Sequence, residues 1–70
     1  MEAFIERLYD EAKELSNKWN KLEIFIKSDS YNNIEPIQQT LLSIQLDSMK
    51  TYHNCLIERL KWLTTSVNKE

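Results

Sequence analysis

Glycine is absent from this 70-residue sequence, and proline occurs once, at Pro36. These two residues are the strongest local interruptions of regular structure, so the stretches on either side of Pro36 are free to run as long helices with one break between them. The lack of glycine also excludes every glycine-rich phosphate loop, and with it the common nucleotide-binding motifs. Cysteine is nearly as scarce: Cys55 alone permits no intrachain disulfide and gives no sign of an oxidising compartment. The one histidine, His53, stands two positions away. On a helix that separation turns the two side chains about 200° apart, so they do not chelate together. With so few candidate ligands and nucleophiles, no metal, no cofactor and no catalytic residue is expected, and enzymatic activity is not expected either.

Long apolar runs are missing as well. No stretch approaches the roughly 20 apolar residues of a membrane span. The start, Met1-Glu2-Ala3-Phe4-Ile5-Glu6-Arg7, is charged within two residues and has no signal-peptide core, which points to a protein that stays in the cytoplasm. Nine Lys and Arg against eleven Asp and Glu give a net charge of −2, without the basic excess that DNA or an anionic membrane surface requires. A small anionic ligand remains compatible, because one or two cations in a closed pocket suffice for it.

What the chain does have is hydrophobic periodicity. At 41% hydrophobic and 29% charged it has the composition of one folded domain, residues 1–70, rather than of a disordered segment. Ile5, Leu8, Ala12, Leu15, Trp19, Leu22 and Ile26 recur at alternating gaps of three and four, an unbroken heptad stripe. This predicts a first helix over about 2–27. Pairs at i, i+4 (Arg7 with Glu11, Glu14 with Lys18, Glu23 with Lys27) are placed to support its outer side. Ser28-Asp29-Ser30-Tyr31-Asn32-Asn33 gathers side chains that compete for backbone hydrogen bonds, which predicts a turn over 28–35, with Tyr31 and Ile34 capping the closed end.

Pro36 suits the first position of a second helix, because its missing N–H costs nothing there. That helix is expected over about 36–66. Leu42, Leu46, Met49, His53, Leu56, Leu60, Leu63 and Val67 form its stripe, with His53 as a polar seam residue and Cys55 as a small buried filler. The fold expected is therefore all-α, a two-helix antiparallel hairpin. Phe4, Tyr9, Ile24 and Phe25 on helix 1, and Leu41, Ile44, Tyr52, Ile57 and Trp62 on helix 2, lie off the two seams. They predict a homo-oligomeric helical bundle with an even number of subunits.

One row resists a purely structural reading. Gln45, Tyr52 and Arg59 recur every seven positions beside the second seam. An amide, an aromatic ring and a guanidinium can together pair with a base edge, stack on its face and bind a phosphate. The plainer reading is that Tyr52 packs between subunits while Arg59 pairs with a carboxylate across the interface.

The set Glu6-Arg7-Leu8-Tyr9, Leu15, Lys18, Lys21-Leu22, Phe25-Ile26 and Ser28, followed by Leu41-Leu42, Gln45-Leu46, Met49, Tyr52, Leu56 and Arg59-Leu60, resembles the small helical proteins of crAss-like phages. The resemblance covers about residues 6–60 and implies a phage or prophage accessory protein. Tyr9 and Tyr31 depart from it, standing where an aliphatic residue and a phenylalanine are usual.

The run Leu42-x-x-Gln45-Leu46-x-x-Met49, with Arg59 ten residues on, is similar to the helical hairpin of phage anti-CBASS sponges and of some Thoeris anti-defence proteins. That resemblance implies an oligomer in the host cytoplasm that sequesters a cyclic di- or oligonucleotide, or a related nucleotide immune signal, without cleaving it. It further implies that Arg59 and Tyr52 line the pocket, with Lys21 or Lys18 meeting a phosphate. Gln45 and Tyr9 complete the candidate set. The alternative function is a helical interaction module that docks on a host or phage protein.

Overall fold

The computed structural model describes the backbone of residues 2–68 and the side chains of residues 3–65. Two helices, α1 (Glu2–Ile26) and α2 (Pro36–Asn68), are joined by a short 3₁₀ turn at Asp29–Asn33, and no strand occurs among the described residues. They fold back on each other as a hairpin. Beyond the Phe25–Tyr31 contact at the turn, contacts from Glu23 to Lys50 and from Trp19 to His53 advance along α2 as they retreat along α1, which makes the pairing antiparallel.

The heptad pattern dictates which sides meet. Leu8, Ala12 and Leu56 are buried, and Leu15, Leu60 and Leu63 pack against them half-covered. Ile5, Trp19, Leu22, Ile26, Leu42, Leu46, Met49 and His53 are also partly buried, so both stripes face inward along their described length. Val67 lies outside the residues whose side chains are described. Among the described residues one large side chain, Leu56 at 1% exposure, is wholly enclosed. Two helices share a single line of contact and can cover no more than one face of each other.

The turn is held by specific bonds. The Ser28 hydroxyl donates to the Phe25 carbonyl at 2.6 Å, ending α1. Tyr31 packs edge-on against Phe25 with ring centroids 6.3 Å apart, and its hydroxyl donates to the Gln39 carbonyl at 2.8 Å. Gln39 Nε2 returns bonds to the carbonyls of Tyr31 at 2.9 Å and Ile34 at 3.2 Å. Residues 31 and 34 thus close the hairpin end, and Gln39 latches the turn to the first turns of α2. Phe25, expected to face a partner, is instead half-buried against Tyr31.

Two other expectations fail for geometric reasons. Cys55 is exposed rather than buried, because the 200° rotation that separates it from His53 carries it to the outer face of α2. The three i, i+4 ion pairs do not form. Among the described residues the one ion pair is Lys50 to Glu23 at 2.8 Å, linking the helices across the seam.

Candidate functional site

At the middle of the seam a polar and aromatic cluster interrupts the aliphatic packing. The Lys50 ammonium lies 5.1 Å from the centre of the Trp19 ring while bonding Glu23, and the His53 ring meets Trp19 edge-on at 6.3 Å. The hydrogen bond from Lys50, aided by its charge and that of Lys27, holds the Glu23 carboxyl below the usual carboxylate range. Trp19 Nε1 is enclosed with no acceptor among the described residues. A buried donor without a partner is costly, and the cation over the ring face offsets part of that cost.

The six residues singled out from the sequence are all exposed, and they do not converge on one point. Gln45, Tyr52 and Arg59 form a row along one flank of the α2 seam, at about 10.5 Å per seven-residue step, so its ends lie roughly 21 Å apart along the axis. That is an edge rather than a pocket. Arg59 has no carboxylate partner among the described residues. At 100° per residue, Lys18 falls on the same flank of the hairpin as this row, whereas Lys21 points from the outer face of α1. Tyr9, 61% exposed, lies on the opposite flank.

On that opposite flank the structure shows a feature the sequence reading missed. A groove of about 230 Å³ runs between the helices, lined by Tyr9, Ala12, Lys13, Ser16, Asn17, His53 and Ile57. Tyr9, Lys13 and Asn17 follow one another at i, i+4, i+8, a spacing that was available in the sequence. Without knowing how α2 lay against α1, nothing distinguished it from a solvated face.

Among the described residues, no three His, Cys, Asp or Glu side chains come together as a metal-binding group. No described helix is long and apolar enough to cross a membrane.

Comparison with known proteins adds the affiliation. Residues 2–62 match the profile of the Sequestin family. An uncharacterised 7.5 kDa protein encoded in the denB-rIIB intergenic region of Enterobacteria phage T4 is 35% identical over 60 residues, covering 86% of this chain and 94% of the T4 protein. No solved structure matches. The two matches are of similar length, and each is long enough to span the turn and most of both helices. They mark a small phage protein, and the chain belongs to the Sequestin family.

Proposed function

We propose that the protein is a non-enzymatic phage sponge that binds a nucleotide immune signal, of the cyclic di- or oligonucleotide or ADP-ribose-derived class, and withholds it from a host effector. The observation that carries this reading is membership, over residues 2–62, of a family whose name denotes sequestration. Stoichiometric binding is then the whole mechanism. A small protein made in excess depletes the signal by mass action when its dissociation constant lies well below the signal's concentration.

The reading includes assembly into a homo-oligomer. The hairpin measures 54 × 15 × 15 Å, with a radius of gyration of 16.0 Å where a compact chain of this length has about 11 Å. It exposes 5621 Å², against about 4,600 Å² for a globular monomer of 8.4 kDa. The excess of about 1,000 Å² is comparable to the roughly 800 Å² each partner buries in a standard interface. The apolar part of it is organised. Ile37, Leu41, Ile44, Ser48, Thr51 and Cys55 form a second three-four stripe on the outer face of α2, continued a heptad later by Trp62 at 68% exposure. A second helix seam of this kind suits another copy of the chain.

On this reading Arg59 and Tyr52 contact the ligand, Gln45 and Lys18 extend that edge, and assembly supplies the wall that a single flank lacks. The test is a thermal-shift and calorimetric screen of the full-length protein against cyclic dinucleotides, cyclic oligonucleotides and ADP-ribose, with Arg59→Ala in parallel. One nucleotide class should raise the melting temperature and be recovered intact after prolonged incubation. Arg59→Ala should weaken its binding without changing the assembled mass. A ligand consumed on incubation would show an enzyme. No stabilisation by any nucleotide, together with retention of a specific host protein, would favour a docking module instead.

A further inference from the structure

The groove between Tyr9, Lys13, Ser16 and Asn17 of α1 and His53 and Ile57 of α2 gathers several side chains with unspent hydrogen-bonding capacity at one place. Several other polar side chains of the hairpin find partners, the enclosed Trp19 indole N–H being an exception. Ser28, Tyr31 and Gln39 bond the backbone, Lys50 bonds Glu23, and the hydroxyls of Thr51 and Thr64 return to carbonyls of the preceding turn at 3.0 Å. Ser16 sits mid-helix, half-buried, where such a back-bond is the usual outcome, yet its hydroxyl makes no hydrogen bond among the described residues. Lys13, Asn17 and His53 also form no side-chain hydrogen bond or ion pair there. An ammonium, a hydroxyl, an amide and an imidazole therefore line one groove, each with capacity to spare.

The lining carries one cation and no carboxylate, in a chain whose net charge is −2. An anion is favoured here over the protein's average surface. Beside the polar groups stand a tyrosine ring at 61% exposure and the Ile57 side chain at 43%, a flat aromatic face and an apolar wall. Stacking on an exposed aromatic is how a nucleobase is held without sequence preference. The volume of about 230 Å³ lies below the roughly 300–1,000 Å³ of sites that enclose a whole drug-sized ligand, so the groove accommodates one nucleotide unit rather than a cyclic oligonucleotide.

We infer that this groove is a binding site for a single nucleotide unit, distinct from the Arg59 edge on the opposite flank. The base stacks on Tyr9 against Ile57, the phosphate is met by Lys13, and Ser16, Asn17 and His53 supply hydrogen bonds to sugar and base. The nucleotide class rests on the sequestering reading above; the location rests on the groove itself.

The experiment is calorimetric titration of the full-length protein with AMP, comparing wild type with Lys13→Ala, Lys13→Arg, Asn17→Ala, Tyr9→Ala, Tyr9→Phe and Lys61→Ala. All four positions are exposed, so circular dichroism and sedimentation should show the fold and mass of wild type in each. Lys13→Ala should weaken AMP binding about tenfold or more, the scale of a lost charge-assisted hydrogen bond. Lys13→Arg should restore most of it, Asn17→Ala and Tyr9→Ala should each weaken it, Tyr9→Phe should recover what Tyr9→Ala loses, and Lys61→Ala, an exposed cation outside both candidate sites, should leave it near the wild-type value.

Unchanged AMP affinity in Lys13→Ala, or an equal loss in Lys61→Ala, would overturn the groove while leaving the sponge reading intact. A change in assembled mass on Lys13→Ala or Tyr9→Ala would make the groove a contact between copies and overturn it also. A wild-type protein that binds neither AMP nor any member of the nucleotide panel would remove both proposals together.

Discussion

Leu56→Ala is the substitution whose cost follows most directly from the structure. Leu56 is the one large side chain wholly enclosed among the described residues, at 1% exposure, and it sits among Leu8, Ala12, Leu15, Leu60 and Leu63. Truncating a buried leucine costs about 2–5 kcal/mol, depending on how far the surroundings collapse into the space. Two helices on a single seam can close up more readily than a multilayer core, which favours about 3 kcal/mol within that range. A chain of this length has in total only some 3.5–10 kcal/mol at typical per-residue values. The loss therefore takes a third or more of it. At about 4–8 °C per kcal/mol for a domain of this size, the melting temperature should fall by about 12–24 °C.

The assay is thermal unfolding followed at 222 nm at one fixed protein concentration, because assembly makes the midpoint concentration-dependent. Leu41→Ala serves as the matched control. It removes the same atoms from the same helix at a site 49% exposed, and should cost about 1 kcal/mol or less within the hairpin; any further loss that grows with protein concentration belongs to the proposed contact between copies, on whose stripe Leu41 lies. A Leu56→Ala protein melting within two or three degrees of wild type, on the order of 0.5 kcal/mol, would refute the assigned seam.

Four further outcomes are expected. Sedimentation at micromolar concentration should give a mass well above the 8.4 kDa protomer, and a stable monomer would remove the oligomer proposal. Trp19→Phe should cost much less than Trp19→Ala in a denaturation comparison, because phenylalanine keeps most of the ring packing while deleting the unpartnered indole N–H. Tyr31→Phe should cost about 0.5–1.5 kcal/mol by the same measure, the net value of the hydrogen bond to the Gln39 carbonyl. Glu23 has its folded-state pKa lowered by Lys50, so its pairing adds stability above the unfolded carboxylate's pKa and loses it as pH falls through the folded-state value. Melting profiles of Glu23→Gln should be flatter than wild type on the acid side of the carboxylate range, and the difference should shrink in high salt because the pair is partly exposed.

Both seams were legible in the sequence because heptad spacing is a local property: it fixes which side chains share a helix face without reference to the other helix. The same holds for the break at Pro36, which needs only the chemistry of one residue and its neighbours. Local patterning also exposed the surplus of apolar side chains such as Ile44 and Trp62, since two short stripes cannot cover them all.

Position across the seam was another matter, because it depends on the rotation and register of α2 against α1. Only the folded hairpin showed that Glu23 reaches Lys50 instead of Lys27, that Phe25 turns to Tyr31, and that Gln39 latches the turn. The candidate ligand residues illustrate the same limit. Gln45, Tyr52 and Arg59 were aligned by helical period, but the period says nothing about whether another element closes over them, and within one hairpin none does. Tyr9, Lys13 and Asn17 share a spacing on α1, and His53 and Ile57 share one on α2, but no local rule relates the first set to the second. They line one groove because two antiparallel helices bring residues some forty positions apart to the same level, and no local pattern encodes that distance.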